Sequence, residues 1–315
     1  MNYIVMDLEW NQCPEGKRKE VEEIPFEIIE IGAVKLNERF EILEEFGEKI
    51  KPQVYKKMDQ HVGEIIQITM EDLQNCRKFP QVAEDFLQWC GEEPVFCTWG
   101  TLDLTELQRN MEYYNMMALS EKPFFYYNVQ KLFEVFFDEQ KSTRNLAFAV
   151  NYFHLEQKQE FHTAINDARY TAFIMQKFDI KKIKKYKEID YFHYPQKLED
   201  EIDISFASYS KFISMGYLGK EALMNAKTVK EVKCCVCEKK VEKKIDWFTN
   251  NSKNYYGLFL CTEHGYLKGK VRVKRGHGEE YFAVKTVKII SKDEANRLSK
   301  QRADIIAKRA QKKRR

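Results

Sequence analysis

Two carboxylates stand two residues apart near the start of the chain, Asp7 and Glu9, inside the largely apolar run Tyr3 to Trp10. Side chains two apart on a strand share a face, and Trp10 turns to the other. Neighbouring carboxylates repel and resist burial unless a cation lies between them. Mg²⁺ suits such a pair, because it takes oxygen ligands and is held by few carboxylates together with substrate phosphates. Strand ends also carry such pairs without any metal, so the rest of the chain has to decide.

Two further elements bear on that choice. Asp103 follows Thr98-Trp99-Gly100-Thr101-Leu102, after a short apolar strand and at the opening of a helix. Taken alone it reads equally as a helix cap or dipole partner. His162 and Asp167 are five apart in His-Thr-Ala-Ile-Asn-Asp. On an ideal helix they would face different ways. With His162 in the preceding loop and Asp167 in the first turn, both converge on one point. Asp167 then binds metal while His162 approaches a water. A loop histidine and a first-turn aspartate with no shared task is the plainer alternative.

The elements that must position these groups follow from the pattern of apolar residues. Tyr3–Trp10, Phe26–Leu36, Phe40–Ile50 and Pro94–Thr98 read as strands, the second and third antiparallel across the Asn37-Glu38-Arg39 turn. Residues 11–24 read as a charged loop. Thr69 is expected to cap a helix with Glu71 and Asp72 in its first turn. Phe79–Cys90, Asp103–Met117, Phe124–Phe137, Leu146–Leu155 and Ala164–Phe178 read as helices. An α/β domain results, a mixed sheet flanked by helices.

As an ordered set, Asp7-x-Glu9, Asp103 and His162-x4-Asp167 resemble the DEDDh 3′–5′ exonucleases, which have the ribonuclease H-like fold. Glu27-Ile28-Ile29-Glu30-Ile31-Gly32-Ala33-Val34 looks like the family's second strand, and Ile68-Thr69-Met70-Glu71-Asp72-Leu73 like its following helix start. Phe79-Pro80 before a helix ending in Trp89 is similar to the ERI-type exoribonucleases and the KapD-like bacterial exonucleases. The resemblance covers about residues 1–180. It implies two Mg²⁺ or Mn²⁺ ions about 3.5–4 Å apart, with Asp7 bridging both. Glu9 and Asp167 would complete one site, and Asp103 would act through water or at the second. His162 would take the proton of the attacking water. The products would be nucleoside 5′-monophosphates. Single-stranded nucleic acid is the implied substrate, RNA ahead of DNA. A DNA-directed exonuclease and a regulatory binding protein that keeps the fold are the competing readings. Asn11 stands where the family often has Thr, and the Trp10–Glu23 segment is long, so substrate contacts there are left open. Glu30 reads as a structural strand residue.

The other half of the chain carries a second constellation. Cys234-x2-Cys237 and Cys261-x2-His264 lie 23 residues apart, a spacing that offers four ligands to tetrahedral Zn²⁺. Cys235 could replace a neighbour. The segment resembles a zinc-ribbon-like β domain, which a structural zinc would staple. Lysines and arginines from Lys239 to Arg275 interleave with Trp247, Phe248, Tyr255, Tyr256 and Tyr266. Those aromatics either stack on bases or form the small core.

Composition agrees with this division. The 315-residue chain has a net charge of +3, yet residues 1–180 hold 19 basic and 32 acidic side chains, and residues 181–315 hold 33 and 17. An acidic half suits cations and a basic half suits polyanions. Four parts are expected: an exonuclease domain over 1–180, a basic linker and helical bridge over 181–231, a zinc-ribbon-like β domain over 232–290 and a basic tail over 291–315. Uncharged stretches fall short of a membrane helix. The first residues lack a secretory leader pattern, and a cytoplasmic protein is expected. Its eight cysteines are then free thiols or metal ligands, not a disulfide framework.

Overall fold

The computed structural model describes residues 2–66, 68–140, 142–156, 161–206, 209–249 and 251–313. The chain divides into two units, Met1–Phe192 and His193–Arg315.

The first unit is built on β1 (Tyr3–Gln12), β2 (Phe26–Leu36) and β3 (Ile42–Lys51), joined in antiparallel register. After a short helix α1 (Gln60–Ile65), β4 (Arg77–Lys78) pairs with β3. Helix α2 (Phe79–Cys90) leads to β5 (Val95–Thr98), which lies parallel to β1. Helix α3 (Leu102–Tyr113), β6 (Phe124–Asn128), α4 (Val129–Phe136), α5 (Leu146–Tyr152), α6 (Ala164–Met175), α7 (Ile180–Ile183) and β7 (Glu188–Asp190) complete it. The sheet order is β4-β3-β2-β1-β5-β6-β7, a mixed sheet with helices on both faces, the ribonuclease H-like arrangement.

Alternation along β1 decides which face bears the chemistry. Tyr3 and Val5 pack with α4, α5 and α6. Ile4, Met6 and Leu8 pack with α2 and α3. Asp7 and Glu9 continue the odd-numbered row, so they emerge on the α6 face. Trp10 joins the opposite core, as the alternation requires.

Several local expectations differ from the structure. No helix follows Thr69. Thr69 and Asp72 do exchange capping bonds, with Thr69 Oγ1 donating to Asp72 Oδ2 at 2.8 Å, but the chain continues as three-residue turns. Pairing of Arg77 and Lys78 with the end of β3 ends the segment. Residues 124–128, expected as helix, form β6 beside β5, and the helix begins only at Val129. Tertiary pairing overrides local propensity here.

The second unit is an antiparallel sheet. Its strands are β8 (Ile202–Ser205), β9 (Tyr209–Ile213), β10 (Tyr217–Leu218), β11 (Glu242–Thr249), β12 (Asn254–Cys261), β13 (Gly265–Arg275) and β14 (Glu280–Ile289). The order is β11-β12-β13-β14-β9-β8, with β10 on β14. Helices α8 (Lys220–Asn225) and α9 (Lys227–Lys230) cover Phe212, Val271 and Ala283. The first turns of α10 (Lys292–Lys313) cover Leu258 through Ala295 and Leu298. The segment 181–231, read as a basic linker and helical bridge, thus supplies β8, β9 and β10 to the same sheet as the segment after Val232. β8 and β10 are short and half-exposed, and β9 buries only its last three residues, so they leave little apolar signal in sequence. Among the described residues, no helix is long and apolar enough to cross a membrane.

Candidate active site and candidate metal centre

Asp7 and Glu9 face β2 in register, Asp7 opposite Gly32 and Glu9 opposite Glu30. A β-bulge between Glu9 and Trp10 ends the regular pairing just past the carboxylates. Asp103 lies in the first turn of α3 and is 6% exposed. The backbone N–H of Leu8, between Asp7 and Glu9 on β1, faces the Asp103 carboxylate and favours the charged form.

Helix α6 brings the third element. Asp167 sits in its first turn, where the helix dipole favours an anion. His162 precedes the helix with φ +67° and an exposed ring. Its backbone N–H reaches Asp167 Oδ2 at 3.4 Å. Glu9, His162 and Asp167 each present a ligand atom, and these atoms lie within 4.8 Å of one another. The loop-then-helix placement that lets residues five apart converge is the one found.

Three contacts hold the start of α6 on the sheet. The Ala164 N–H donates to Glu30 Oε2 at 3.0 Å. Gly32 leaves room for the Ala164–Ile165 backbone, since a Cβ there would sit 2.1 Å from Ala164 C. Arg169 forks onto Glu45 of β3, with Nε at 3.0 Å and Nη2 at 2.6 Å. Glu30 therefore belongs to the acidic centre and caps α6, a role its position in an Ile-rich strand did not announce. Asn11 is fully buried and turned away from any ligand role. Its side chain accepts the Asp59 N–H and donates to Lys57 O.

Crowding shows in the electrostatics. Burial, then Asp103, Asp167, Glu9 and Glu30, push Asp7 well above the carboxylate range. Burial, then Asp167 and Glu30, push Glu9 up to about 8. Asp103 is pushed up to about 7 and Asp167 to about 6, burial leading in both. Asp167 Oδ1 is buried and has no hydrogen-bond partner among the described residues. Converging carboxylate oxygens, unfavourably charged and partly unpartnered, fit a hard divalent cation.

In the second unit Cys234, Cys237, Cys261 and His264 place all four ligand atoms within 4.8 Å. Cys237 Sγ lies 3.8 Å from Cys261 Sγ, and His264 Nδ1 lies 3.6 Å from Cys234 Sγ and 3.7 Å from Cys261 Sγ. Bonds of about 2.3 Å to sulfur and about 2.05 Å to nitrogen give tetrahedral edges of about 3.8 and about 3.6 Å. Two turns aim the ligands. One precedes β11, where Glu238 N–H bonds Cys234 O and Glu238 has φ +58°. The other joins β12 to β13, where Gly265 has φ +81°. Cys235 is buried in the apolar cluster with Leu267 and Val287, outside the four. The Glu263 backbone N–H, then His264, hold the Cys261 thiol down at about 6, which favours the ligating thiolate.

The aromatics interleaved with the basic residues are half-buried core members. Phe248, Tyr256 and Tyr266 pack with α10, and Trp247 and Tyr255 pack on the α8–α9 face.

The nuclease domain of 3′hExo, described as a DEDDh family member bound to rAMP, is 18% identical, with 60% of this chain and 96% of that one covered at a TM-score of 0.49. A full-length 3′-exonuclease is 19% identical, with 56% and 80% covered and a TM-score of 0.47. Cell-death related nuclease 4 is 21% identical, with 60% and 65% covered and a TM-score of 0.47. Comparison with curated protein sequences gave no significant match. The family model RNase_T, described as Exonuclease, matches residues 4–175. That match takes in all four carboxylates and the histidine and spans more than half of the chain: the protein belongs to this exonuclease family, as its DEDDh resemblance implied.

Proposed function

We propose that the protein is a metal-dependent 3′–5′ exonuclease that releases nucleoside 5′-monophosphates from single-stranded nucleic acid, with RNA preferred over DNA. The observation that carries this is the convergence of Glu9, His162 and Asp167 beside Asp7 and Asp103, in a chain of the exonuclease family. Asp7, Glu9, Asp103 and Asp167 hold two Mg²⁺ or Mn²⁺ ions. Such ions supply charge stabilisation for an in-line displacement at phosphorus. His162 receives the proton of the attacking water, and the nearby Glu9 and Asp167 carboxylates stabilise the imidazolium that forms. Its exposed position lets the proton pass on to solvent. The RNA preference is supported by the ERI-type resemblance of the sequence.

Cys234, Cys237, Cys261 and His264 hold one structural Zn²⁺, and a reducing, cytoplasmic setting would keep the three thiols available to it. The test of the enzyme uses 5′-labelled single-stranded RNA and DNA of matched sequence with Mg²⁺ or Mn²⁺, beside Asp7→Asn. A ladder shortening from the 3′ end, faster on RNA and absent in the variant, is expected. Full activity in Asp7→Asn would overturn the assignment. Faster cleavage of DNA would move the substrate to DNA.

A further inference from the structure

Strand β13 alternates strictly. Leu267 and Val271 are fully buried on one face. Lys268, Lys270, Arg272 and Lys274 form an unbroken basic row on the other. Across β14, Lys288 lies directly opposite Lys268. Like charges in that position destabilise a sheet. Lys268 and Lys270 also flank one ring, with their Nζ atoms 5.4 and 5.8 Å from the Tyr256 centroid. Both are pushed below the usual lysine range, by burial and then by the neighbouring cations Lys288 and Arg272. Glu294, on the first turn of α10, is the acid that acts on Lys268. Beyond its first two turns α10 is exposed and carries Lys300, Arg302, Lys308 and Arg309.

We infer that the Lys268–Lys270–Arg272–Lys274 row, with Lys288 beside it, is a second binding surface, a track for the phosphate backbone of single-stranded nucleic acid. Successive cations on one strand face repeat every about 6.6–6.8 Å. An unstacked strand can straighten along that row, whereas a duplex strand winds about its axis, advancing only about 3.4 Å along it per phosphate, and leaves a straight row after a few phosphates. The apolar cross-strand neighbours of the row, Leu258, Phe282 and Val284, are themselves buried, Leu258 beneath α10, so the strip presents charge without an apolar wedge for a bilayer to receive. A polyanion on the row removes the repulsion that the sheet otherwise bears. The choice of nucleic acid among polyanions rests on the nuclease reading of the first unit.

The experiment measures binding of a 5′-fluorescein 20-nucleotide single strand to the full chain across a NaCl series. An Asp7→Asn background stops hydrolysis without a chelator, so the Cys/His centre stays intact. The variant Lys268→Gln, Lys270→Gln, Arg272→Gln, Lys288→Gln should bind at least tenfold more weakly at moderate salt. Its log–log salt slope should fall by about 0.7 for each phosphate that is no longer neutralised, or about 3 for four. The pair Arg272→Glu, Lys288→Glu, at two exposed positions away from the Tyr256 ring, guards against a folding defect and should weaken affinity in the same direction. With Asp7 restored, both variants should cleave a dinucleotide as the parent does, because it needs only the acidic site. Parental affinity and salt slope in both variants would overturn the proposal. So would binding of anionic phosphatidylserine vesicles through these residues with no binding of the oligonucleotide. A parent chain that shortens neither the labelled strand nor the dinucleotide would sink the nuclease reading alone, and weakened oligonucleotide binding in the variants would still support the track.

Discussion

Gly32 and Ala164 meet backbone to backbone: a Cβ on Gly32 would stand 2.1 Å from the carbonyl carbon of Ala164. Gly32 is also the residue opposite Asp7 in the β1–β2 ladder. One glycine therefore lets the helix that carries Asp167 descend onto the strand beside the first carboxylate. Its neighbour in the same row, Glu30, fastens that helix through the Ala164 N–H.

Gly32→Ala should force α6 off the sheet. The clash is with backbone, which no side-chain rotation can relieve. A loss of about 2–4 kcal/mol is expected, at the upper end for single substitutions. Urea denaturation would measure it, and hydrolysis should fall more than in a core variant of equal stability, such as one at Phe133. Equal losses in the two would show that α6 keeps its place.

Glu30→Ala leaves the buried Ala164 N–H without its acceptor and should cost about 1–3 kcal/mol. Glu30→Gln keeps an acceptor oxygen and should recover most of that. If the two variants were equally unstable, the hydrogen bond would not be what Glu30 contributes.

His162→Ala should lower the rate of hydrolysis by about 10²–10⁴, the range for a positioned proton acceptor. Mn²⁺ binding by calorimetry should stay within a few-fold of the parent, since the four carboxylates remain. Loss of Mn²⁺ binding would assign His162 to the metal instead.

Removing divalent ions should make stability depend on pH in a defined direction. Glu9, Asp103 and Asp167 hold their protons up to about 8, 7 and 6 in the fold. In the unfolded chain they release them near 4. Between those values the folded state binds more protons, so stability falls as pH rises. For these three groups the loss begins above about pH 4 and runs to about pH 8, and Asp7, also pushed up, acts in the same direction. The metal-free first unit should melt several degrees lower at pH 8 than at pH 5.5, and Mg²⁺ should restore most at pH 8. A melting temperature that climbs over this interval without metal would contradict the crowding of the carboxylates.

Zinc should be present at one equivalent in the untagged protein. Cys234→Ala or His264→Ala should lose it and destabilise the second unit, because metal binding and folding are coupled in so small a site. Cys235→Ala should keep it, as that side chain lies in the core with Leu267. Elemental analysis of the three variants separates the ligands from their neighbour.

Chemistry was legible in the sequence wherever residue type and short-range period sufficed. Asp7 and Glu9 share a face because a strand has a period of two, and no tertiary information is needed for that. A Cys/Cys pair and a Cys/His pair, each with two residues between its members, already single out four candidate ligands. Convergence of His162 with Asp167 was legible only conditionally, on a loop-to-helix junction between them. Tertiary pairing decided the rest. Residues 124–128 became a strand because β5 offered an edge, and residues 209–213 joined the second sheet by pairing with β14, 71 to 79 residues further on. The aromatics near the Cys/His centre were divided between two cores by which side of the sheet each fell on. Glu30 and Gly32 gained their roles through long-range contact alone. Each is ordinary within its strand, and only the arrival of Ala164, more than 130 residues later, makes one a cap and the other a gap.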